Sequence, residues 1–498
     1  MTSENQWPLY IGIVLAVYAV VIMFFVIRGA LKTRSISDYG IGNLGFPSWI
    51  VGLSLAASMT SAATFVINPG FIALYGLAGL ISMAIVLPVA AFASLIVFTK
   101  AFAKFGKAVK ANTMSQWIGN RFNNKAYQFF FAVVAMLLIT FIVLINVGLT
   151  QVISKSLQVE PFYVLLGITV FVFGYMMFGG ANSMVYTNTV QAIIMVIVAL
   201  MMIFSGNNLF AEGLNGFAAK LNAIDPNLTK TFNETSPLYR DFFEVVICQF
   251  IVGIAIVCQP HIMTKSLMLK SPDRVNSYLF FAIASMIIFF LIVVAGFYAR
   301  IMFPDLTANG QKMKMDEIIP TYVVNRFSAA AGILVIVGLI SAGLSTLEGL
   351  IQSLSVTVTS DILEPLFGDK VAENGLVINK FVIVVLAIVS FLLSWDQIQH
   401  PNLSVGIFGQ NGVYGYFAAA FVPVLFGTFV KNVKSSTVFT GSVVAIVVHF
   451  GIFYGKLTPY MQGTVGNPGV SAAIAIVSSV CVAILLHLFN KKTDTITA

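Results

Sequence analysis

Charge is scarce in this sequence. Asp, Glu, Lys and Arg make up 9% of its 498 residues, against roughly 25% in soluble globular chains. A water-facing surface over this length cannot be built from so little, which excludes an ordinary cytosolic or secreted protein. A nucleic-acid partner is excluded as well. The net charge of +8 is spread over short loops between apolar runs, where Lys and Arg read as orientation signals. Cysteine is equally sparse: Cys248, Cys258 and Cys481 all lie in apolar stretches without CxxC spacing. No disulfide framework is expected, and each reads as a small core residue. His261, His400, His449 and His487 show no metal-ligand spacing. No GxxxxGK[ST] loop is present, so ATP-driven work by this chain is disfavoured. Neither a catalytic constellation nor a soluble signalling domain is found, so enzyme activity is not expected.

What the sequence has in abundance is apolar length, with 58% hydrophobic residues. The runs are continuous, whereas strands of a membrane barrel alternate apolar and polar positions, so the expectation is an all-α, polytopic membrane protein. Runs of about 20 residues cross the hydrocarbon core as helices, and the chain holds about thirteen such candidates. They lie near 9–28, 47–75, 79–102, 126–154, 161–179, 184–205, 242–268, 276–302, 318–360, 376–395, 404–429, 436–455 and 468–490. The ninth is too long for one span and is expected to begin with a separate helix outside the membrane. An odd number of spans puts the termini on opposite sides. With the N-terminus outside, the inner loops collect roughly eighteen Lys and Arg against eight outside, counting Lys110, Lys265, Lys270 and Arg274 among the inner ones. The reading is therefore a multi-pass protein of the plasma (inner) membrane, N-terminus out and C-terminus cytoplasmic. The longest polar excursion, 206–241, carries Asn227-Leu-Thr and Asn233-Glu-Thr and reads as an ordinary exposed loop.

Two spans are interrupted in corresponding places. In the second, Ser58-Met59-Thr60-Ser61-Ala62-Ala63-Thr64 leads to Asn68-Pro69-Gly70, and the seventh carries Cys258-Gln259-Pro260-His261-Ile262-Met263-Thr264. Each proline removes a backbone donor and frees a carbonyl one turn earlier. Paired broken helices in two halves of a chain point to a midplane site on an inverted repeat. In the ninth span, Ala342, Ser345 and Thr346 share one helical face. Their carbonyl and hydroxyl oxygens, with carbonyls freed at a break, suit a dehydrated sodium ion, a hard cation that prefers oxygen.

These residues carry a family resemblance. Ser37-Asp38-Tyr39, Gly52-Leu53-Ser54, the Pro69-Gly70 break, Phe178-Gly179-Gly180, Tyr186-Thr187-Asn188-Thr189-Val190-Gln191, Gln259-Pro260-His261 and Ala342-x-x-Ser345-Thr346 ending in Ser360-Asp361-Ile362 resemble the sodium:solute symporter family. Within it, the Gln-Pro-His and Ala-x-x-Ser-Thr segments look most like the proline and pantothenate branch. The resemblance implies a leucine-transporter-type core of five plus five inverted-repeat helices and sodium-driven uptake by alternating access. It implies a single transporter domain: 9–28 an extra N-terminal helix, 47–205 and 242–429 the two repeats, and 436–490 extra C-terminal helices. It also implies a sodium site built from the carbonyls of Ala57, Thr60 and Ala342 and the hydroxyls of Ser345 and Thr346.

Two departures from the family pattern stand out. Where many members carry an Asp that helps hold a second sodium, this chain has Asn188, and Glu348 stands where some have Ser. The carboxylate has, on this reading, crossed the same pocket to a neighbouring helix, making Asn188 and Glu348 a possible second cation or coupling site. Ionised, Glu348 pairs with sodium; protonated, it donates a hydrogen bond or relays a proton. Proton coupling, or substrate sensing on the same fold, is thus the alternative to sodium symport.

The expected solute cavity is lined by Ser61, Ala62, Thr64 and Asn68 from one broken helix, by Gln259, His261 and Thr264 from the other, and by Gln410 and Asn411 from the eleventh span. The fourth span, Phe129 to Ser154, has no Arg, which argues against a sialic-type sugar acid. The third, Ile81 to Phe98, lacks an acidic residue for sugar hydroxyls. A small organic acid or amino acid fits better. The expected partners are that solute, the sodium ion and the lipid bilayer, with no obligate protein partner.

Overall fold

The computed structural model describes residues 7–43, 45–109, 111–269, 272–308, 310–400, 405–463 and 465–496. Almost all of it is helix. The two strands among the described residues form one short hairpin, Thr307–Ala308 against Gln311–Lys312. Among the described residues, ten helices are long and apolar enough to cross a membrane. The bent pair Ser48–Met59 and Ala63–Tyr75, whose halves meet at 58°, makes an eleventh crossing. Two shorter apolar helices, Pro161–Met176 and Phe243–Cys258, fill the remaining expected stretches. The chain is a multi-pass integral membrane protein. The long ninth stretch divides as expected, into Ile318–Arg326 and Ala329–Thr357. Between them Phe327 is extended, and Arg326 anchors the corner by donating from Nε to the Ser205 carbonyl at 2.8 Å.

Lipid gives helices no hydrophobic reason to associate, so close backbone approach and internal polar contacts hold the bundle together. Gly338 lets Ala329–Thr357 lie against Val198 of the helix Gly180–Phe204, and Gly343 does the same at Leu149 of Ile139–Leu157. Gly52 brings Ser48–Met59 onto the backbone at Tyr278. Polar residues act as clamps between helices. Tyr39 donates from its hydroxyl to the Met176 carbonyl at 2.7 Å. Asp361 accepts from Thr113 Oγ1 at 2.6 Å and Gln128 Nε2 at 2.8 Å. Arg121 donates to the carbonyls of Gly427 and Val430, at the end of Val405–Phe429, satisfying groups that a helix terminus leaves open.

Several expectations are corrected here. The excursion 206–241 is a packed cap: helix Gly213–Ile224 and the turn Pro226–Thr229 lie within it. Asn233 is buried and donates to the Tyr75 carbonyl at 3.2 Å. Gly76 makes the packing possible, because its φ of +72° favours glycine and a Cβ there would strike the Leu228 backbone. Cys248 and Cys258 are buried, but Cys481 is exposed on its spanning helix. Of the basic residues counted for orientation, Lys110 and Lys270 lie outside the described residues. Lys265 is fully buried, not in a loop.

Gly52→Val forces a side chain into the Tyr278 backbone, where a Cβ would sit at 2.6 Å. Overpacking of that kind costs about 1–3 kcal/mol. The purified variant is expected to unfold several degrees below wild type, while Gly12→Val, whose Cβ meets nothing within 4 Å, unfolds at the wild-type temperature.

Candidate functional site

The helix Ser48–Met59 stops at Thr60, where φ −111° and ψ 95° are extended. The chain becomes helical again through a π-helical turn, Ala63–Ile67, that leads into Asn68–Tyr75. The interruption therefore falls at Thr60-Ser61-Ala62, ahead of the Pro69 at which it was expected. Ser61 explains the shift: its Oγ accepts from the Ala63 amide at 3.1 Å, which offers the backbone a local alternative to the helical ladder. Pro69 sits near the start of Asn68–Tyr75, past the wide turn, where a missing N–H is tolerated. In the other half Gln259 is extended, with ψ 139°, between Ile256–Cys258 and Pro260–Met263. There the break falls where the proline is expected to put it, because the residue before Pro avoids the helical region.

At the first break, side chains answer the last carbonyls of Ser48–Met59. Ser345 Oγ donates to the Ala57 carbonyl at 2.8 Å, and Thr346 Oγ1 donates to that of Ser58 at 3.2 Å. The Ala342 carbonyl lies 3.1 Å from Ser345 Oγ and 3.5 Å from Thr346 Oγ1. Ala57, Ala342, Ser345 and Thr346 thus meet in one fully buried cluster, which the Ser58 carbonyl joins. Thr60 stands beside it with a buried Oγ1 that has no hydrogen-bond partner. Every donor atom in the cluster is a neutral oxygen, the chemistry an alkali cation requires.

A second buried cluster adjoins the first. Glu348, one helical turn along from Ser345, accepts from Tyr175 Oη at 2.6 Å, Thr187 Oγ1 at 2.5 Å and Gln191 Nε2 at 3.2 Å. The hydrogen-bond network assigns the Asn188 amide: its nitrogen donates to Gln191 Oε1 at 3.0 Å and Glu348 Oε2 at 3.2 Å. Its oxygen accepts from Ser58 Oγ at 2.8 Å and Lys265 Nζ at 3.1 Å. Asn188 and Glu348, expected to share a pocket, are in contact. Lys265 completes the cluster, donating from Nζ to the Ser54 carbonyl at 2.6 Å, Ser54 Oγ at 2.7 Å and Ser58 Oγ at 2.6 Å. Sequence reasoning missed it by counting it with the loops. The signal was there: it lies inside the seventh apolar stretch, where an ionisable residue marks function by default.

The two breaks wall a cavity of about 90 Å³. Of the expected solute contacts, Ser61, Thr64, Asn68, Gln259, His261 and Gln410 line it. Three do not. Ala62 packs near Gly148, Thr264 Oγ1 donates to the Pro260 carbonyl at 2.8 Å, and Asn411 Nδ2 donates to Tyr454 Oη at 3.1 Å. Met83, Leu87, Phe141, Leu144, Phe290 and Phe417 supply an apolar wall that sequence reasoning did not name. His261 is 1% exposed and neither ring nitrogen has a hydrogen-bond partner; Gln259 Oε1 lacks one too. Buried polar atoms without partners are costly, and here they edge the cavity.

Interrupted helices around a cavity, with an oxygen cluster of the kind a hard cation prefers beside it, define the class: an ion-coupled secondary transporter. A model of the family described as "SSF: Sodium:solute symporter family" matches residues 39–445. The chain belongs to the sodium:solute symporter family, and the ion it couples to is sodium. Among curated relatives, the sodium/pantothenate symporter of Haemophilus influenzae is 24% identical over 401 residues, 79% of each chain. The sodium/proline symporter of Staphylococcus aureus is 23% identical over 458 residues, 89% of this chain and 86% of that one. Among solved structures, a Na+-coupled sialic acid symporter in a substrate-bound outward-open state superposes with a TM-score of 0.75 at 19% identity, covering 95% of this chain and 98% of that one. A nucleobase-cation-symport-1 family transporter in a closed conformation gives a TM-score of 0.53 at 13% identity, covering 93% and 96%. These likenesses give the fold, which is of the leucine-transporter type.

Tyr175→Phe removes one donor from the buried Glu348 carboxylate. Removing one partner of a buried hydrogen-bonded group costs about 1–3 kcal/mol, so the variant is expected to unfold several degrees below wild type. An unchanged unfolding temperature in a thermal-shift assay counts against the contact.

Proposed function

We propose that the chain imports a small amino acid or organic acid by alternating access, driven by a sodium ion held by Ala57, Thr60, Ala342, Ser345 and Thr346. One observation carries the reading: hydroxyls of Ser345 and Thr346 on one helix meet the last carbonyls of another at the point where it breaks. A cation bound there would replace the direct hydroxyl-to-carbonyl contacts between the two helices, so ion binding and helix position are coupled. The two repeats are residues 47–205 and 242–429, so that each contributes one broken helix to the cavity, with 9–28 and 436–490 as additions outside them.

The cavity speaks for the solute class. It holds no charged side chain, one polar edge from Ser61, Thr64, Asn68, Gln259, His261 and Gln410, and an opposing aromatic and aliphatic wall. Its size suits a compact solute with a hydrogen-bonding head and an apolar body better than a sugar. A carboxylate head would accept from an N–H of the His261 ring, and an amino or hydroxyl group of the solute would donate to Gln259 Oε1. The aliphatic acid and amino acid named for the curated relatives, pantothenate and proline, belong to the same chemical range.

The chain lies in the plasma (inner) membrane with its N-terminus outside and its C-terminus cytoplasmic. Removing Lys265 from the loop count leaves the majority of Lys and Arg on the inner side. Two contacts agree with the grouping of chain segments on which this rests: Lys155 pairs with Glu317 at 3.3 Å, and Arg121 caps the end of Val405–Phe429. One sodium suffices energetically. Moving one charge through 100 mV releases about 2.3 kcal/mol, and a tenfold sodium gradient adds about 1.4 kcal/mol. The sum sustains several-hundred-fold accumulation of a neutral solute. Enzyme activity forms no part of this reading.

Uptake of a panel of radiolabelled amino and carboxylic acids into proteoliposomes, with and without a sodium gradient, identifies the solute. For whichever solute is taken up, Ser345→Ala/Thr346→Ala is expected to raise the sodium concentration for half-maximal uptake at least ~10-fold, a loss of about 1.4 kcal/mol. A sodium dependence identical to wild type would remove this cluster from the mechanism.

A further inference from the structure

We infer that the ammonium of Lys265 is the permanent occupant of the pocket that Asn188 and Glu348 form, so that this transporter binds a single sodium ion. The inference rests on the reading of the Ser345 and Thr346 cluster as the sodium site.

Lys265 Nζ is surrounded as a bound cation would be. Four neutral oxygens lie within 3.1 Å of it: the Ser54 carbonyl, Ser54 Oγ, Ser58 Oγ and the Asn188 amide oxygen. Ser54 and Ser58 are four residues apart on Ser48–Met59, so their side chains share one face of that helix and aim the same way. The side chain of Lys265 is completely buried, and no carboxylate lies within ion-pair distance among the described residues. Its counter-charge is Glu348, reached through Asn188, whose oxygen faces the ammonium while its nitrogen faces the carboxylate. An amide does this where a carboxylate would not. With Asn188 neutral, the cluster has one positive and one negative group, both hydrogen-bonded, which is the condition for burying either.

This arrangement leaves no place for a second metal ion. The remaining acceptor capacity of Glu348 is taken by Tyr175, Thr187 and Gln191. A sodium ion about 4 Å from the ammonium would bind on the order of a thousandfold more weakly than without it, given an effective dielectric constant near 20. The pairing of Asn188 with Glu348 and the buried Lys265 thus have one explanation: the chain supplies its own cation. Lys265 follows the second broken helix and grips the first, one residue from the Ala57 carbonyl, so the tethered charge keeps both breaks joined when sodium leaves.

The test is equilibrium binding of 22Na+ to the full chain in proteoliposomes, which needs no knowledge of the solute. Wild type is expected to bind one sodium per chain with a Hill coefficient of 1, and Ser345→Ala/Thr346→Ala is expected to weaken that binding at least ~10-fold. Lys265→Ala is expected to bind two, and the added ion is expected to vanish in Lys265→Ala/Glu348→Gln. A wild-type count of two, one of them lost in Ser345→Ala/Thr346→Ala, overturns the inference and leaves the sodium cluster standing. A single wild-type sodium indifferent to Ser345→Ala/Thr346→Ala overturns the cluster reading instead. Should Lys265→Ala not fold, the wild-type count decides alone; a folded Lys265→Ala that binds one sodium overturns the inference.

Discussion

Carbonyls at the end of an interrupted helix must find partners, and the hydrocarbon interior of a bilayer provides none. At the end of Ser48–Met59 that need is met from across the bundle, by Ser345 and Thr346. Much else in the protein serves to hold those groups in reach. Gly338 and Gly343 seat the Ala329–Thr357 helix against its neighbours, and Gly52 seats Ser48–Met59 against the helix that carries Tyr278. A shift of either rod would leave both the carbonyls and the hydroxyls without partners. On the proposed reading the same groups that close the bundle turn their lone pairs to a cation, and structural need and ion binding then draw on one set of oxygens.

The polar interior is divided by chemistry. The cluster around Ala57 and Ser345 contains only neutral oxygens. The one around Glu348 and Lys265 contains full charges, each with several hydrogen-bond partners, and Asn188 bridges them. The cavity proposed for the solute is different again: it presents His261 and Gln259 with polar atoms that no other side chain answers. Groups with partners rigidify a structure, and groups without them are where a ligand's binding energy is to be gained. The proposed function follows that division, with hydrogen-bonded clusters at the helix crossings and unanswered atoms of His261 and Gln259 at the cavity edge.

Much of this was legible in the residue order. Continuous apolar runs announce helices because backbone groups in lipid must be paired within their own segment, so the spans and even the corner before Ala329 were readable from hydropathy and length. Ala342, Ser345 and Thr346 declared a common face through helical periodicity alone. The break before Pro260 was equally plain. The break at Thr60 was not, since Pro69 looked the stronger interruption; a π-helical turn absorbed that proline, and the hydroxyl of Ser61 ended the helix earlier. Such competition between local hydrogen bonds is settled by geometry that spacing does not encode.

Sequence by itself determined that the chain crosses a membrane repeatedly, that two of its helices are discontinuous, and which residues could offer oxygen to a cation. These properties depend on transfer free energy and helical period, both of which are local. Tertiary structure decided where side chains point. It turned Asn411 and Thr264 to partners outside the cavity, folded the 206–241 segment into a cap over Gly76, and drew Lys265 from an apparent loop into the oxygens of Ser54, Ser58 and Asn188. A lysine's destination depends on which acceptors lie within the length of its side chain, and those come from helices distant in the chain, up to 211 residues away at Ser54.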